Sequence, residues 1–378
     1  MPKNARRSKP LPARACPAIL GALEADATYS LMRLGRSLAI AAGALVLLGA
    51  PAGYSAYWFA LAGQVEQGIA RWEAQRRAEG YTVAHGPAER GGFPFALAFT
   101  LPRPHIARPD PPLEWRAETL TLRAKPWALK QLTFDFPGKH TLAGTADGQP
   151  RLIDAVLGSG SLDLLFDGRG RADAAALNAA KVDARLAGAA DRFQIASIRA
   201  VARRLPLTAP GAVSLETDSR IAGLVLPERQ GGPLGRDISL VSALANVIGQ
   251  APEDGTRASA IKWRDSGGYV EIKETHIVWG KIEIKGSGTA RLDADLQPNL
   301  RLDSQVRGGD ALIDALLATG QMRLPEAIIA KGVLGALSRP AGDGGPPVLR
   351  VPITVRDGGR LYLGPVRIWR FAPLVWRQ

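Results

Sequence analysis

The residues able to do chemistry are few and far apart. Four histidines, His85, His105, His140 and His276, are scattered along the 378 residues, and none has a second His, Cys or acid at metal-ligand spacing. Asp293 and Asp295 lie two apart, as paired acids on one strand face do in a glycosidase, but they sit inside a regular charged alternation that reads as a solvated face. Glycine-rich pieces at Gly158, Gly168 and Gly286 lack the Lys-Ser/Thr of a phosphate loop and the strand-to-helix setting of a dinucleotide site. There is no G-x-S-x-G elbow, and the one cysteine, Cys16, precedes the body of the chain. These patterns point away from an enzyme, and no metal or cofactor is expected.

One stretch has the other kind of chemistry, that of an apolar surface. In GGFPFALAFTLPRP, Gly91 to Pro104, every large apolar side chain falls at an odd position: Phe93, Phe95, Leu97, Phe99 and Leu101. The even positions are small or ring-locked, so an extended chain shows one bulky face and one nearly bare face. That face is either sheet core or the wall of a groove for a lipid tail or other hydrophobic ligand. These five residues are the candidate ligand-binding set. Pro94 marks an edge or an unpaired position, because its nitrogen donates no hydrogen bond.

The surrounding elements are mostly strands. Alternation recurs in SLDLLFDG (Leu162, Leu164, Phe166), KVDARLAG (Val182, Ala184, Leu186), VSLETDSR (Val213, Leu215) and VPITVRD (Val351, Ile353, Val355). It runs longest in KIEIKGSGTARLDADL, Lys281 to Leu296, and turns at Pro298-Asn299 into LRLDSQV. One apolar and one polar face per strand indicates antiparallel sheet wetted on one side. The expected fold is therefore mainly β with some α: long curved antiparallel sheets and a few covering helices. Helices are expected in ISLVSALANVIG behind Asp237, in ALIDALLATG behind Asp310, and in EAIIAKGVLGAL from Pro325. EWRAETLTLRA at Glu114 and KWRDSGGYVEI at Lys262 read as two tryptophan-bearing strand starts. The proline-dense RPHIARPDPP, Arg103 to Pro112, is expected to be a surface loop, and RPAGDGGPP, Arg339 to Pro347, a connector.

Upstream, Leu38 to Leu61 contains no charged residue and is long enough to cross a bilayer core of about 30 Å. Seven basic and two acidic residues precede it, which keeps the N-terminus cytoplasmic, and Tyr54, Tyr57 and Trp58 suit the far headgroup region. Small residues at Ala50, Ala52, Ser55 and Ala56 also permit the alternative of a cleaved signal peptide. The expected organisation is a tail without fold at 1–37, a transmembrane anchor at 38–61, a stalk helix at 62–80 with Val65, Ile69 and Trp72 on one side, and a β-rich periplasmic body at 81–378, of one or two lobes. The net charge of +13 falls to +8 without the tail. On the exported side this excess suits anionic headgroups and makes nucleic acid an unsuitable partner.

The span, GGFPF at Gly91 to Phe95, ISLVSALANVIG, the block LDADLQPNLRLDSQVRGGDALIDALLATG from Leu292 to Gly320, and LYLGPV at Leu361 together resemble the domain-of-unknown-function 2125 family, over about residues 35 to 370. The resemblance implies a single-pass inner-membrane protein with a periplasmic body and no assigned activity or catalytic residues. The block after Leu292 is also similar in style to the AsmA-like envelope proteins, whose long sheets are associated with lipid handling. The expectation is a membrane-anchored protein that binds lipid or another hydrophobic ligand in envelope maintenance; the alternative is a non-enzymatic envelope scaffold that binds another protein.

Overall fold

The computed structural model describes residues 18–110, 112–146, 149–187, 192–209, 211–227, 234–252, 255–318, 320, 322–339, 347–364 and 366–376. Cys16 and most of the Arg339–Pro347 connector lie outside them. The chain divides into two units, Met1–Gln64 and Val65–Gln378. Helix α1, Ala18–Ala78, belongs to both and starts within the stretch expected to have no fold. In the first unit it carries Pro51 in its interior, whose carbonyl accepts from Ser55 Oγ at 2.8 Å. Among the described residues no helix is long and apolar enough to cross a membrane; within Leu38–Leu61 the side chains up to Val46, and that of Leu48, lie outside them. In the second unit α1 ends where Gly80 takes φ 85°, and the Gly80 and Tyr81 amides donate to Arg77 and Arg76 carbonyls.

The second unit is a single antiparallel sheet that forks. Its first nine strands are β1 (Thr82–Ala84), β2 (Glu89–Gly91), β3 (Leu97–Pro102), β4 (His105–Arg108), β5 (Leu113–Ala117), β6 (Thr119–Lys125), β7 (Ala128–Asp135), β8 (Gly138–Ala146) and β9 (Gln149–Phe166). The fork is made by β9, whose eighteen residues exceed the length of either neighbour on one edge. Its first half pairs with β8, from Gln149↔Ala146 to Leu157↔Gly138, and its second half with β7, from Ser161↔Asp135 to Leu165↔Gln131. One arm then runs β8, β5, β4, β1 and the other β7, β6, β3, β2.

On its other edge β9 opens a long ladder: β10 (Ala172–Leu186), β11 (Arg192–Arg204), β12 (Val213–Val225), β13 (Asp237–Ile248), β14 (Tyr269–Trp279), β15 (Ile282–Leu292) and β16 (Pro298–Arg307). Helix α2 (Arg257–Asp265) joins β13 to β14. Helices α3 (Gly309–Ala318) and α4 (Leu324–Leu337) and strand β17 (Ser338–Arg339) follow β16. The ladder ends in β18 (Val348–Arg356), which pairs β16, then β19 (Arg360–Leu363) and β20 (Val366–Arg370). Ile282, Val306, Leu349, Val351 and Leu363 form a filled core at that end, and Ile313, Leu316, Met322 and Ala327 pin α3 to α4.

A crease crosses this sheet. On β11, Phe193 and Ile195 are half-buried and Arg192, Gln194 and Ala196 exposed; beyond Ala196 the pattern resumes one residue late, with Ile198 and Ala200 half-buried and Ser197 and Arg199 exposed. The same slip occurs between Leu157 and Gly160 on β9 and between Val182 and Ala179 on β10, and on β12 Leu224 and Ile221 take the corresponding ladder positions. These residues pair across the strands, Leu157↔Val182↔Ile195↔Leu224 on one side and Gly160↔Ala179↔Ile198↔Ile221 on the other. An unmatched extra residue breaks register and inverts every side chain beyond it. Here each strand has one, all in a row at Gly158, Lys181, Ala196 and Gly223, so register survives while the in-facing parity flips. Lys181 at φ 52° and Gly223 at φ 62° absorb the extra residue in left-handed backbone. A Cβ on Gly223 would lie 2.8 Å from that of Ala196.

Several local expectations change. ISLVSALANVIG is strand β13, not a helix: its small and β-branched residues satisfy both periods, and ladders to β12 and β14 on both edges decide between them. KWRDSGGYVEI is not a strand start at Lys262, because Thr256 caps α2 by accepting from the Ser259 amide and the strand begins only at Tyr269. Within the expected loop, His105 to Arg108 forms β4, since the flanking prolines leave these four amides free to pair with β1 and β5. The sixteen-residue alternation ends at Leu292. Asp293 Oδ1 accepts from the Asp295 and Gln297 amides and turns the chain there, so these acids serve a turn and not a strand face.

Candidate functional site

The two arms of the fork meet along one edge, where the Gly86 amide after β1 donates to the Pro102 carbonyl of β3 at 2.7 Å. Between them lies a cavity of about 1080 Å³, and the crease allows β9 to line both of its sides. Odd residues Ile153, Ala155 and Leu157 face it from the half paired with β8; even residues Leu162, Leu164 and Phe166 face it from the half paired with β7. Without the slip one of these sets would point to solvent. One arm adds Leu120, Leu122, Leu132 and Phe134, and the other adds Ile106, Trp115 and Leu142. Phe136, between β7 and β8, also lines the space. A Cβ on Gly160 would lie 2.6 Å from its ring, so only glycine admits the ring there.

The last turns of α1 form the remaining wall with Val65, Gly68, Ile69, Trp72 and Glu73. The helical face of Val65, Ile69 and Trp72 thus looks into the cavity. Both arms hold this segment. Arg90, the middle residue of β2, makes a bidentate pair with Glu66, at 2.7 Å to each oxygen from Nη2 and 3.0 Å from Nε. On the other arm His85, just after β1, meets Glu73 at 2.6 Å, and Arg77 donates to Glu73 at 3.0 Å and to the Val83 carbonyl at 2.8 Å. The cavity is open: Trp72, Leu129, Leu142 and Ile153 line it and remain more than a third exposed.

Three titratable side chains line the cavity: Glu73, His85 and His140. Glu73 is only 9% exposed. His85 uses both ring nitrogens, with Nδ1 donating to the Gly86 carbonyl at 2.5 Å and Nε2 against Glu73, so neither remains to take a proton from a substrate. His140 donates from Nε2 to the Phe136 carbonyl at 2.9 Å, stacks on Trp115 and meets the edge of Phe136. Burial pushes its imidazole below the ordinary value of 6.5, against the opposing effect of that hydrogen bond. The other two histidines also pair with single acids, His105 with Glu114 and His276 with Glu283, each at 2.9 Å. Among the described residues no three potential metal ligands cluster. Apart from Glu73, His85 and His140 the lining is apolar, and the residues described in it include no serine, threonine or cysteine.

The aromatic stripe is divided three ways. Leu101 lines the cavity. Leu97 and Phe99, at 1% and 0% exposure, are packed core on β3. Phe93 and Phe95 precede the strand in a turn and are 51% and 75% exposed. In that turn Gly92 takes φ 90° and the Ala96 amide donates to its carbonyl; the Phe93–Pro94 peptide is cis. Most of the cavity's lining was missing from the sequence-based set. Its signal was present in the face Leu162, Leu164, Phe166 and in the helical face of α1.

A family model described as an uncharacterized protein conserved in bacteria, DUF2125, matches residues 58–371. The chain belongs to the DUF2125 family. The match spans both arms of the fork, the cavity-lining turns of α1, the creased ladder and both terminal helices, so all cavity-lining elements fall within the DUF2125 domain. No curated protein and no solved structure matches the chain.

Proposed function

We propose that this protein is a membrane-tethered envelope protein that holds the hydrocarbon chain of a lipid between the arms of its forked sheet. The observation that carries the reading is the cavity. At about 1080 Å³ it lies just above the roughly 300–1,000 Å³ typical of small-molecule pockets, and its lining is apolar except for a few convergent polar groups. The absence of charge in Leu38–Leu61 and the basic excess before it support a single-pass inner-membrane anchor with the sheet in the periplasm. Binding is passive, with no covalent step.

The experiment is photo-crosslinking of the purified full-length protein in nanodiscs with a diazirine fatty acid, followed by peptide mapping. Adducts should concentrate on β7, the second half of β9 and the Val65–Trp72 segment. Adducts spread evenly over exposed surface would overturn the proposal. A second reading, a scaffold for another envelope protein, is favoured by Leu324, Ile328 and Ile329 of α4, each at least 60% exposed. Under that reading Ile328→Asp abolishes a reproducible in-cell crosslink; if none forms with the native chain, the scaffold reading fails.

A further inference from the structure

Two turns at one end of the sheet carry aromatic side chains that serve neither core nor cavity. Pairing of Leu97 on β3 with Ala124 on β6 sets the turn before β3 beside the turn between β6 and β7. The first holds Phe93 and Phe95; the second holds Trp127, 64% exposed. Leu129 continues the patch into the cavity lining. Large exposed aromatics grouped at a turn end mark a contact surface.

The charge closest to Trp127 is basic. Lys125 and Lys130 flank Trp127, both exposed and in no ion pair among the described residues. The other nearby cations are neutralised, Arg90 by Glu66 and Arg123 by Asp135. The next turn, between β9 and β10, holds Asp167, Arg169 and Arg171. Asp167 pairs with Arg171 and leaves Arg169 exposed. The end therefore presents Phe and Trp rings with Lys125, Lys130 and Arg169 unneutralised beside Trp127, against Glu89 on β2 and Asp173 at the start of β10, which form no ion pair among the described residues. Aromatic rings settle at the headgroup level of a bilayer, and lysines near its surface gain from anionic lipid.

We infer that the turns bearing Phe93, Phe95 and Trp127 form a membrane-contacting surface for anionic bilayers, with the cavity mouth at Leu129 beside it. The inference rests on exposure and charge at the turns, and it stands or falls separately from occupancy of the cavity. The test uses full-length protein with Cys16→Ser, reconstituted in phosphatidylglycerol–phosphatidylcholine vesicles and carrying a nitroxide at Phe95→Cys, at Trp127→Cys or, as a control on the outer sheet face, at Arg220→Cys. At 95 and 127 collisions with oxygen should exceed those with a water-soluble nickel chelate, and at 220 the order should reverse. Lys125→Glu with Lys130→Glu should shift the label at 95 back to aqueous values. The labelled and charge-reversed positions are all exposed, so unchanged melting temperatures are expected and confirm that the fold is intact. Aqueous values at 95 and 127 overturn the inference. So does shielding from both reagents, which marks a protein contact, and so do equal values at all three sites, which mark indiscriminate adsorption. The photo-crosslinking above reports on the cavity alone, so each failure is distinguishable from the other.

Discussion

Gly68→Leu separates a cavity built for a ligand from a defect in the core. Gly68 sits mid-helix in the α1 wall, and a Cβ there would meet nothing within 4 Å. Replacing glycine by leucine inside a helix gains about 0.7 kcal/mol of intrinsic propensity, and the new side chain enters open space without strain. The variant should be as stable as the native chain or more so. For a bound hydrocarbon chain the same side chain removes room for about four methylenes, at roughly 0.8 kcal/mol each. The ceiling is about 3 kcal/mol, or a hundredfold in Kd; a mobile chain that reroutes loses less. Thermal unfolding and titration with a fluorescent fatty acid, both on full-length protein in amphipol, read the two effects. The expected outcome is a melting temperature that holds or rises while affinity falls at least tenfold. Unchanged affinity with raised stability would show that no chain lies against α1, and the fork would have to hold its ligand elsewhere or hold none.

Other perturbations test the frame around the cavity. Gly223→Ala places a Cβ against that of Ala196 at φ 62° and should cost about 2 kcal/mol, read as a lower denaturant midpoint with unchanged slope. His140 titrates in a known direction: because burial lowers its folded pKa, stability is full above its ordinary 6.5 and declines as pH falls from there toward the folded value. Melting temperature should drop between pH 7 and 5, and His140→Phe should flatten that slope. Arg90→Ala removes a partly exposed ion pair worth no more than about 1 kcal/mol, so stability should barely change. Released from one arm, the α1 wall should admit and lose the fatty acid faster in stopped-flow traces, with little change in Kd.

Much of the sheet was legible because alternation is a local signal. SLDLLFDG announces in eight residues that Leu162, Leu164 and Phe166 share a face, and GIARWE places Ile69 and Trp72 on one side of a helix. The crease was equally local but easy to lose, since reading each strand in its own frame hides a slip. FQIASIRA spells it out as Phe193-x-Ile195-x-x-Ile198-x-Ala200, and RIAGLV repeats it as Ile221-x-x-Leu224. ISLVSALANVIG was misread because small residues make both periods fit, and only the neighbours on either edge choose strand. The exposure of Phe93 and Phe95 was illegible for another reason: period two was extended from β3 back through Phe93–Ala96, which is a turn that Gly92 at φ 90° starts and the Ala96 amide closes on the Gly92 carbonyl. Whether an apolar face is filled or empty has no local sign at all. Leu101 and Leu164 are sixty-odd residues apart, and the space between them follows from the length of β9 relative to β7 and β8.

That space also constrains how the protein can exist. Sealed, dry cavities in protein cores cost roughly 24 cal/mol per Å³, so one of about 1080 Å³ would cost about 26 kcal/mol. The net stability of a whole domain is about 5–15 kcal/mol, so a sealed void of this size is excluded. The exposure of Trp72, Leu129, Leu142 and Ile153 shows how the cost is avoided: the walls meet solvent. Apolar walls against water still forgo the burial that closing the fork would recover, at about 25 cal/mol per Å². Two features keep it from closing. Matched extra residues at Gly158, Lys181, Ala196 and Gly223 hold the strands in register with apolar faces turned inward, and α1 is tied across the gap to one arm by Glu66 and to the other by Glu73. On the proposed reading the fold recovers that free energy from a guest, and the guest best matched to walls of Leu, Ile, Val, Phe and Trp is a hydrocarbon chain.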